Sequence, residues 1–276
     1  MTLSTATKTI LITGASRGIG LAAAEMFAAR GWQVAATMRS PNTAILTADG
    51  NRIRTYRLDV TDTESVNLAI EAVLADCGRI DAVVNNAGYC LPGAFEAQSE
   101  EDFRRHIETN LMGAMRVTRA VLPAMRAQGG GRIINMSSIC GRMTLPLYTG
   151  YCASKWAIEG FTEALGFELR RHNIKVKLIE PGVFRTGSFD QQMQDLAERR
   201  GHAAYDDFVA DVLPRMADAE RAAPGPAAVA EAIWRAATDC WPRLRYSPRG
   251  TATLAARQIV PDVLFVRGVR RLLNAW

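Results

Sequence analysis

Apolar residues recur along the chain with two different periods. Short β-branched runs predict strands: KTILIT (8–13), QVAAT (33–37), RIRTYRL (52–58), IDAVVN (80–85), RIINMS (132–137), KVKLIE (175–180) and, more weakly, LRYS (244–247). Between them lie stretches with the three-to-four-residue spacing of an amphipathic helix, among them IGLAAAEMFAARG, TESVNLAIEAVLADCG and EEDFRRHIETNLMGAMRVTRAVLPAMRAQ. Strand and helix alternate through short links, which predicts βαβ units and an α/β fold, a parallel sheet with helices on both faces. No repeat is present. The one compositional break is RAAPGPAAVAEAI (221–233), where Pro and Gly mark a turn into a helix. Residues 187–225 open on a polar, Met-rich, weakly patterned stretch and are expected to cover a site rather than form a second domain, so residues 1–276 read as one domain.

Composition narrows the class. Apolar residues make up 48% and charged residues 22%, ordinary for a globular protein. No apolar run approaches the ~20 residues that span a bilayer, and MTLSTATKTI lacks the pattern of a secretory signal, so a cytoplasmic location is expected. Cys77, Cys90, Cys140, Cys152 and Cys240 are odd in number, scattered and free of C-x-x-C, which argues against a disulfide framework and a zinc site and for small buried thiols. No metal is expected. The net charge of +5 is uneven: from Trp241 onward there are seven arginines (243, 245, 249, 257, 267, 270, 271) and one acid, Asp262. This basic extension (241–276) reads as a solvated or subunit-contact face. DVLFVRGVRRLLNAW keeps peripheral contact with an anionic membrane open, and no nucleic-acid partner is expected.

Candidate chemistry begins at TGASRGIG (13–20), which follows one strand and opens one helix. Gly14 permits a sharp turn, and Gly18 and Gly20 permit close approach of backbone to a pyrophosphate held at the helix N-terminus. Ser16, Arg17 and Ile19 complete this phosphate loop. Tyr151 and Lys155 are four apart and share a helix face. A neighbouring ammonium favours a phenolate, so Tyr151 is expected to titrate below its usual ~10 and to act as acid/base. Ser138, at a strand end, can stabilise charge on the same substrate oxygen; because side chains alternate, only one of Ser137 and Ser138 faces the cleft.

Taken in order, TGASRGIG, DV (59–60), NNAG (85–88), Asn110, Ser138, YCASK (151–155) and PG (181–182) followed by Thr186 resemble the short-chain dehydrogenase/reductase family, strongly over about residues 8–190. YCASKWAIEGFTEAL is most similar to the branch acting on hydroxysteroids, retinoids and comparable lipophilic carbonyls. The resemblance implies a single Rossmann-type doubly wound parallel sheet of about seven strands and a homodimer or homotetramer. It also implies a hydride exchanged with a nicotinamide cofactor. It selects Ser138 over Ser137, gives Lys155 a second role on the nicotinamide ribose beside Tyr151, and gives Asn110 a water in a proton relay. It places Asn86, Ala87 and Gly88 at the sheet and the adenosine ribose, with Asp59 and Val60 at the adenine. Asp59 also fits a helix N-cap region. Pro181, Gly182, Val183 and Thr186 would surround the nicotinamide.

Leu91, Met143, Leu145, Leu147, Phe184 and Phe189 are the expected pocket walls, an apolar lining suited to a bulky ketone or secondary alcohol. The second strand ends in Met38 where an NAD site carries an acid; no acid lies between Glu25 and Asp49, and Arg39 and Arg17 suit a 2′-phosphate, so NADP(H) is expected over NAD(H). Two alternatives share the fold. An epimerase or dehydratase would need a further base or sugar contacts that the sequence does not show. A non-catalytic redox sensor commonly lacks the Tyr or the Lys, and both are present.

Overall fold

The computed structural model describes residues 7–41, 52–187 and 201–275. Seven strands, β1 (Thr9–Thr13), β2 (Gln33–Met38), β3 (Ile53–Arg57), β4 (Ala82–Asn85), β5 (Gly131–Met136), β6 (Ile174–Ile179) and β7 (Arg245–Tyr246), form one parallel sheet in the order β3-β2-β1-β4-β5-β6-β7. Each predicted strand is present, within two residues at either end. Period-two alternation sorts the core. Ile10, Ile12 and Ile134 face helices α1 (Gly18–Ala29) and α7 (Ala227–Thr238), where Phe27 and Ile233 pack. Leu11, Val83 and Ile133 face the other layer, formed by α2 (Thr63–Cys77), α4 (Gly113–Ala127) and α5 (Thr149–Leu169).

Helix boundaries follow local chemistry. Asp62 caps α2, accepting from the N–H groups of Glu64 and Ser65, and Gly78 ends it at φ 75°. Ser99 and Asp102 form a capping box on α3 (Glu100–Ile107). The long amphipathic stretch predicted over 100–128 is not one α-helix: a π-helical turn, Glu108–Met112, separates α3 from α4. The weakly patterned part of 187–225 contains α6 (Asp206–Arg221), whose Val212 and Met216 pack with Leu147, Leu273 and Ala275. The basic extension forms α8 (Thr251–Ile259) and α9 (Asp262–Leu273). Among the described residues no helix is long and apolar enough to cross a membrane.

Two polar constructions brace the sheet beneath its carboxyl edge. Asn85 donates to Asn135 Oδ1 (2.7 Å) and Thr118 Oγ1 (3.0 Å), and Asn135 donates to Thr162 Oγ1 (2.8 Å), so β4, β5, α4 and α5 share one buried network. On β7, Arg245 contacts Glu159 (3.0 Å), Glu163 (2.7 Å) and Glu180 (3.1 Å). Because every strand runs the same way, the turns after β1, β4, β5 and β6 gather at one edge, where the strand order reverses between β1 and β4.

Candidate active site

The glycine turn is cinched against the loop after β4. Gly14 and Gly18 hold φ +66° and +59°. A Cβ at Gly14 would lie 3.0 Å from Ala87 Cα, and one at Gly20 would lie 2.4 Å from the Gly14 carbonyl oxygen. Asn86 Nδ2 donates to the carbonyls of Thr13 (2.9 Å) and Gly14 (3.1 Å). Gly18, Ile19 and Gly20 form the first turn of α1, where N–H groups lack intrahelical acceptors and no acid competes. Ser16 is half-buried, and Arg17 is exposed at the N-cap position without a capping bond. Thr186 approaches from the far side; its carbonyl would stand 3.2 Å from a Cβ at Gly18. This cradle, which side chains would fill, fits a dinucleotide phosphate.

At the end of β2, Met38 turns into the core and Arg39 is exposed. Asp59 lies beside Arg39. Burial pulls its carboxyl up, but hydrogen bonds from Thr61 and the cations Arg39 and Arg57 outweigh burial, and the net shift is down. Asp59 is not the cap of α2; Asp62 is. Val60 packs on Gly113, where a Cβ would lie 2.8 Å away.

Tyr151 and Lys155 share one face of α5, with the Lys155 ammonium 5.5 Å from the Tyr151 ring centre. Lys155 donates to the Met136 carbonyl at 2.7 Å, and burial lowers it to about 8. Tyr151 departs from the sequence expectation: burial pushes the phenol well above its ordinary range, and the bond to Ser138 offsets this only in part. Desolvation of the phenolate is the largest cause, so the phenol is protonated at neutral pH. Ser138 Oγ also accepts the Cys140 N–H at 3.1 Å. Ser137 faces the other way, toward Glu159.

Asn110 sits in the π-helical turn and is buried. It accepts the Tyr89 N–H (3.0 Å) and donates to the Tyr89 carbonyl (2.8 Å) and Ser154 Oγ (3.3 Å), and Ser154 Oγ donates to the Tyr151 carbonyl (2.8 Å). A Cβ at Gly88 would lie 3.0 Å from Asn110 Oδ1. Two residues escaped the sequence reading. His106 is buried, donates from Nε2 to the same Tyr89 carbonyl (3.0 Å), stacks on the Tyr89 ring and lies 6.1 Å from the Tyr151 ring. Burial drops it to about 4, so it is neutral. Its spacing of four from Asn110 was the available signal. Asn85, rather than Asn86, carries the sheet network.

Gly93 donates to the Leu147 carbonyl (2.9 Å), joining the two expected pocket-wall segments. Leu91, Met143 and Leu147 are buried there, Met143 in one cluster with Tyr151, and Leu145 is half-buried. Phe184 does not join them: its ring is drawn into the core beneath α1 and α7, which offers more apolar contact than the wall. Phe189 lies outside the described residues. The Pro181 carbonyl accepts from Ile139 (3.0 Å), Gly182 packs on Arg249, and Val183 is exposed.

A family model described as short chain dehydrogenase matches residues 8–197. The chain belongs to the short-chain dehydrogenase family. A 3-ketodihydrosphingosine reductase of Bacteroides thetaiotaomicron is 42% identical over 183 residues, covering 66% of this chain and 66% of that protein. The chain thus spans just under two thirds of that relative. The solved short-chain dehydrogenase of Streptomyces avermitilis superposes with TM-score 0.79 at 33% identity, covering 99% of this chain and 97% of that one. ElxO, solved with NADP bound, matches at TM-score 0.74 and 26% identity over 89% of this chain and 99% of that one. A 3-ketoacyl-(acyl-carrier-protein) reductase from Brucella melitensis, solved with NADH, matches at 0.73 and 25% over 87% and 97%. Family membership makes the chain an oxidoreductase of the nicotinamide-binding kind.

Proposed function

We propose that the protein is an NADP(H)-dependent carbonyl reductase or alcohol dehydrogenase acting on a lipophilic ketone or secondary alcohol, in the cytoplasm and as a homodimer or homotetramer. The observation that carries this reading is the convergence of Tyr151, Ser138, Lys155 and Asn110 beside the glycine cradle. The bound cofactor supplies or accepts the hydride. The protonated Tyr151 phenol donates its proton to the carbonyl oxygen, and Ser138 holds that oxygen as charge develops. Lys155 keeps a positive charge beside the ring, and Asn110 and His106 fix the Tyr89 carbonyl and so the loop that faces Tyr151. Residues 187–225 serve as the cover and residues 241–276 as a basic extension of the single domain. A panel of ketones and alcohols with both cofactors, followed at the absorbance of the reduced nicotinamide, tests the reading; no turnover of any carbonyl would overturn it.

The apolar wall and the ketone named in the Bacteroides relative both support a lipophilic substrate. kcat/KM is expected to rise along a series of ketones of growing apolar bulk, by ~0.8 kcal/mol per buried methylene until the pocket fills. A preference for small charged keto acids or sugars would end this idea.

The cofactor preference rests on Arg39, exposed at the end of a β2 that carries no acid, with Arg17 exposed in the glycine turn. Arg39→Ala is expected to weaken NADP(H) by ~1.5–3 kcal/mol and NAD(H) far less, and Met38→Asp to shift preference toward NAD(H). Titration of both cofactors against the three proteins decides it, and tighter NAD(H) binding by the unsubstituted protein would refute it.

A further inference from the structure

Folding gathers three of the five scattered cysteines around Tyr151. Cys90 follows β4, Cys140 lies in the turn after β5 and Cys152 neighbours Tyr151 on α5; all three are buried. Cys140 and Cys152 belong to one packed cluster with Ile139 and Met143, against which Tyr148 and Tyr151 rest. The Cys140 thiol is hydrogen-bonded to Cys152 on one side and to Ser138 on the other, while Cys90 bonds Tyr148. The two partners are unequal. The shared hydrogen bond favours the thiolate on Cys152 and the thiol on Cys140. They also differ in access. Cys152 lines a cavity of about 700 Å³ together with Leu145, Trp156, Phe265 and Val269; Cys140 does not.

We propose that Cys152 and Cys140 are a hydroperoxide-oxidisable pair, attacking and resolving cysteine, whose disulfide switches off the Tyr151 site. The Cys152 thiolate attacks the terminal peroxide oxygen; the O–O bond breaks, and the departing alkoxide or hydroxide leaves as an alcohol or water after taking a proton. The Cys140 thiol then attacks the sulfur of the Cys152 sulfenic acid. The S–O bond breaks, an S–S bond forms, and hydroxide leaves as water with the Cys140 proton. Two thiols and one hydroperoxide become a disulfide, an alcohol and water. Inactivation follows from position. The Cys140 N–H and thiol both bond Ser138, so drawing Cys140 into a covalent bond displaces the hydroxyl that Tyr151 contacts.

The full-length protein is treated with hydrogen peroxide or cumene hydroperoxide, alkylated, digested and analysed by mass spectrometry. Exposed Cys240 serves as the internal gauge of non-specific oxidation. A Cys140–Cys152 cross-linked peptide is expected before Cys240 is oxidised, with loss of reductase activity in proportion to the cross-linked fraction and recovery of both on adding dithiothreitol. In Cys140→Ser, Cys152 should instead accumulate as a sulfenic acid captured by dimedone; in Cys152→Ser, neither cross-link nor activity loss should appear relative to the variant's own untreated rate. Oxidation of Cys240 without the cross-link, a cross-link to Cys90 instead, or a full cross-link with undiminished activity would each overturn the proposal. Only the activity arm rests on the reductase reading. A protein that cross-links as expected but reduces no carbonyl even when fully reduced would refute that reading and leave the oxidisable pair standing.

Discussion

Tyr151→Phe is expected to cut turnover by roughly 10²–10⁴ while leaving the fold and cofactor affinity in place. The substitution removes one hydroxyl from a ring whose packing against Met143 and Tyr148 is otherwise unchanged. What is lost is the proton delivered to the substrate oxygen. Burial keeps the phenol protonated, which suits reduction; in the oxidative direction the proton must first leave, so that rate should climb with pH. Steady-state kinetics with a fluorescence titration of the cofactor provide the check. A variant keeping more than about a tenth of the original turnover would remove Tyr151 from the acid/base role.

Arg245→Met is expected to destabilise the fold by ~3–5 kcal/mol, because it strips the shared cation from buried carboxylates. Glu180 is fully buried and Glu159 nearly so, and both lie within hydrogen-bonding distance of the guanidinium. The loss is pH-dependent. Burial already raises Glu159 from 4.5 to about 7 despite bonds from Ser137 and Arg245. A carboxyl whose folded pKa is raised favours the folded state below its unfolded value, and that contribution is lost as pH rises through the folded value. Without Arg245 the folded value climbs further. The deficit should therefore be small near pH 4.5 and, because it opens only as pH rises past about 7, much larger near pH 9. Urea unfolding at the two pH values measures it, and equal deficits at both would show that Glu159 is not the group involved.

The strands were legible because a sheet covered on both faces needs near-continuous apolar runs, and TILIT and AVVN supply them. The glycine turn was legible because its chemistry is local. What stayed hidden depends on where distant loops meet. No spacing rule brings Cys140 beside Cys152, sets His106 under Tyr89 or sends Phe184 into the core while Leu147 stays at the wall. The π-helical turn that seats Asn110 was invisible for a different reason: its residues keep a helical apolar period, and the extra residue in the turn is selected by contacts to Tyr89 and Ser154. The direction of the Tyr151 shift failed for a third. Sequence shows which charges are near but not how much water each group has lost.

Among the described residues β7 is the last strand on its side of the sheet, and because it contributes only Arg245 and Tyr246 it leaves almost no backbone to bond another strand. At the opposite margin β3 is solvated and guarded: Arg54 and Tyr56 both reach Asp76, and Arg57 is exposed. A short strand at one end and a charged one at the other are poor templates for a foreign chain. Among the described residues, neither margin of the sheet offers a long bare edge to a foreign strand, which lowers the aggregation hazard of an open β-edge on both sides.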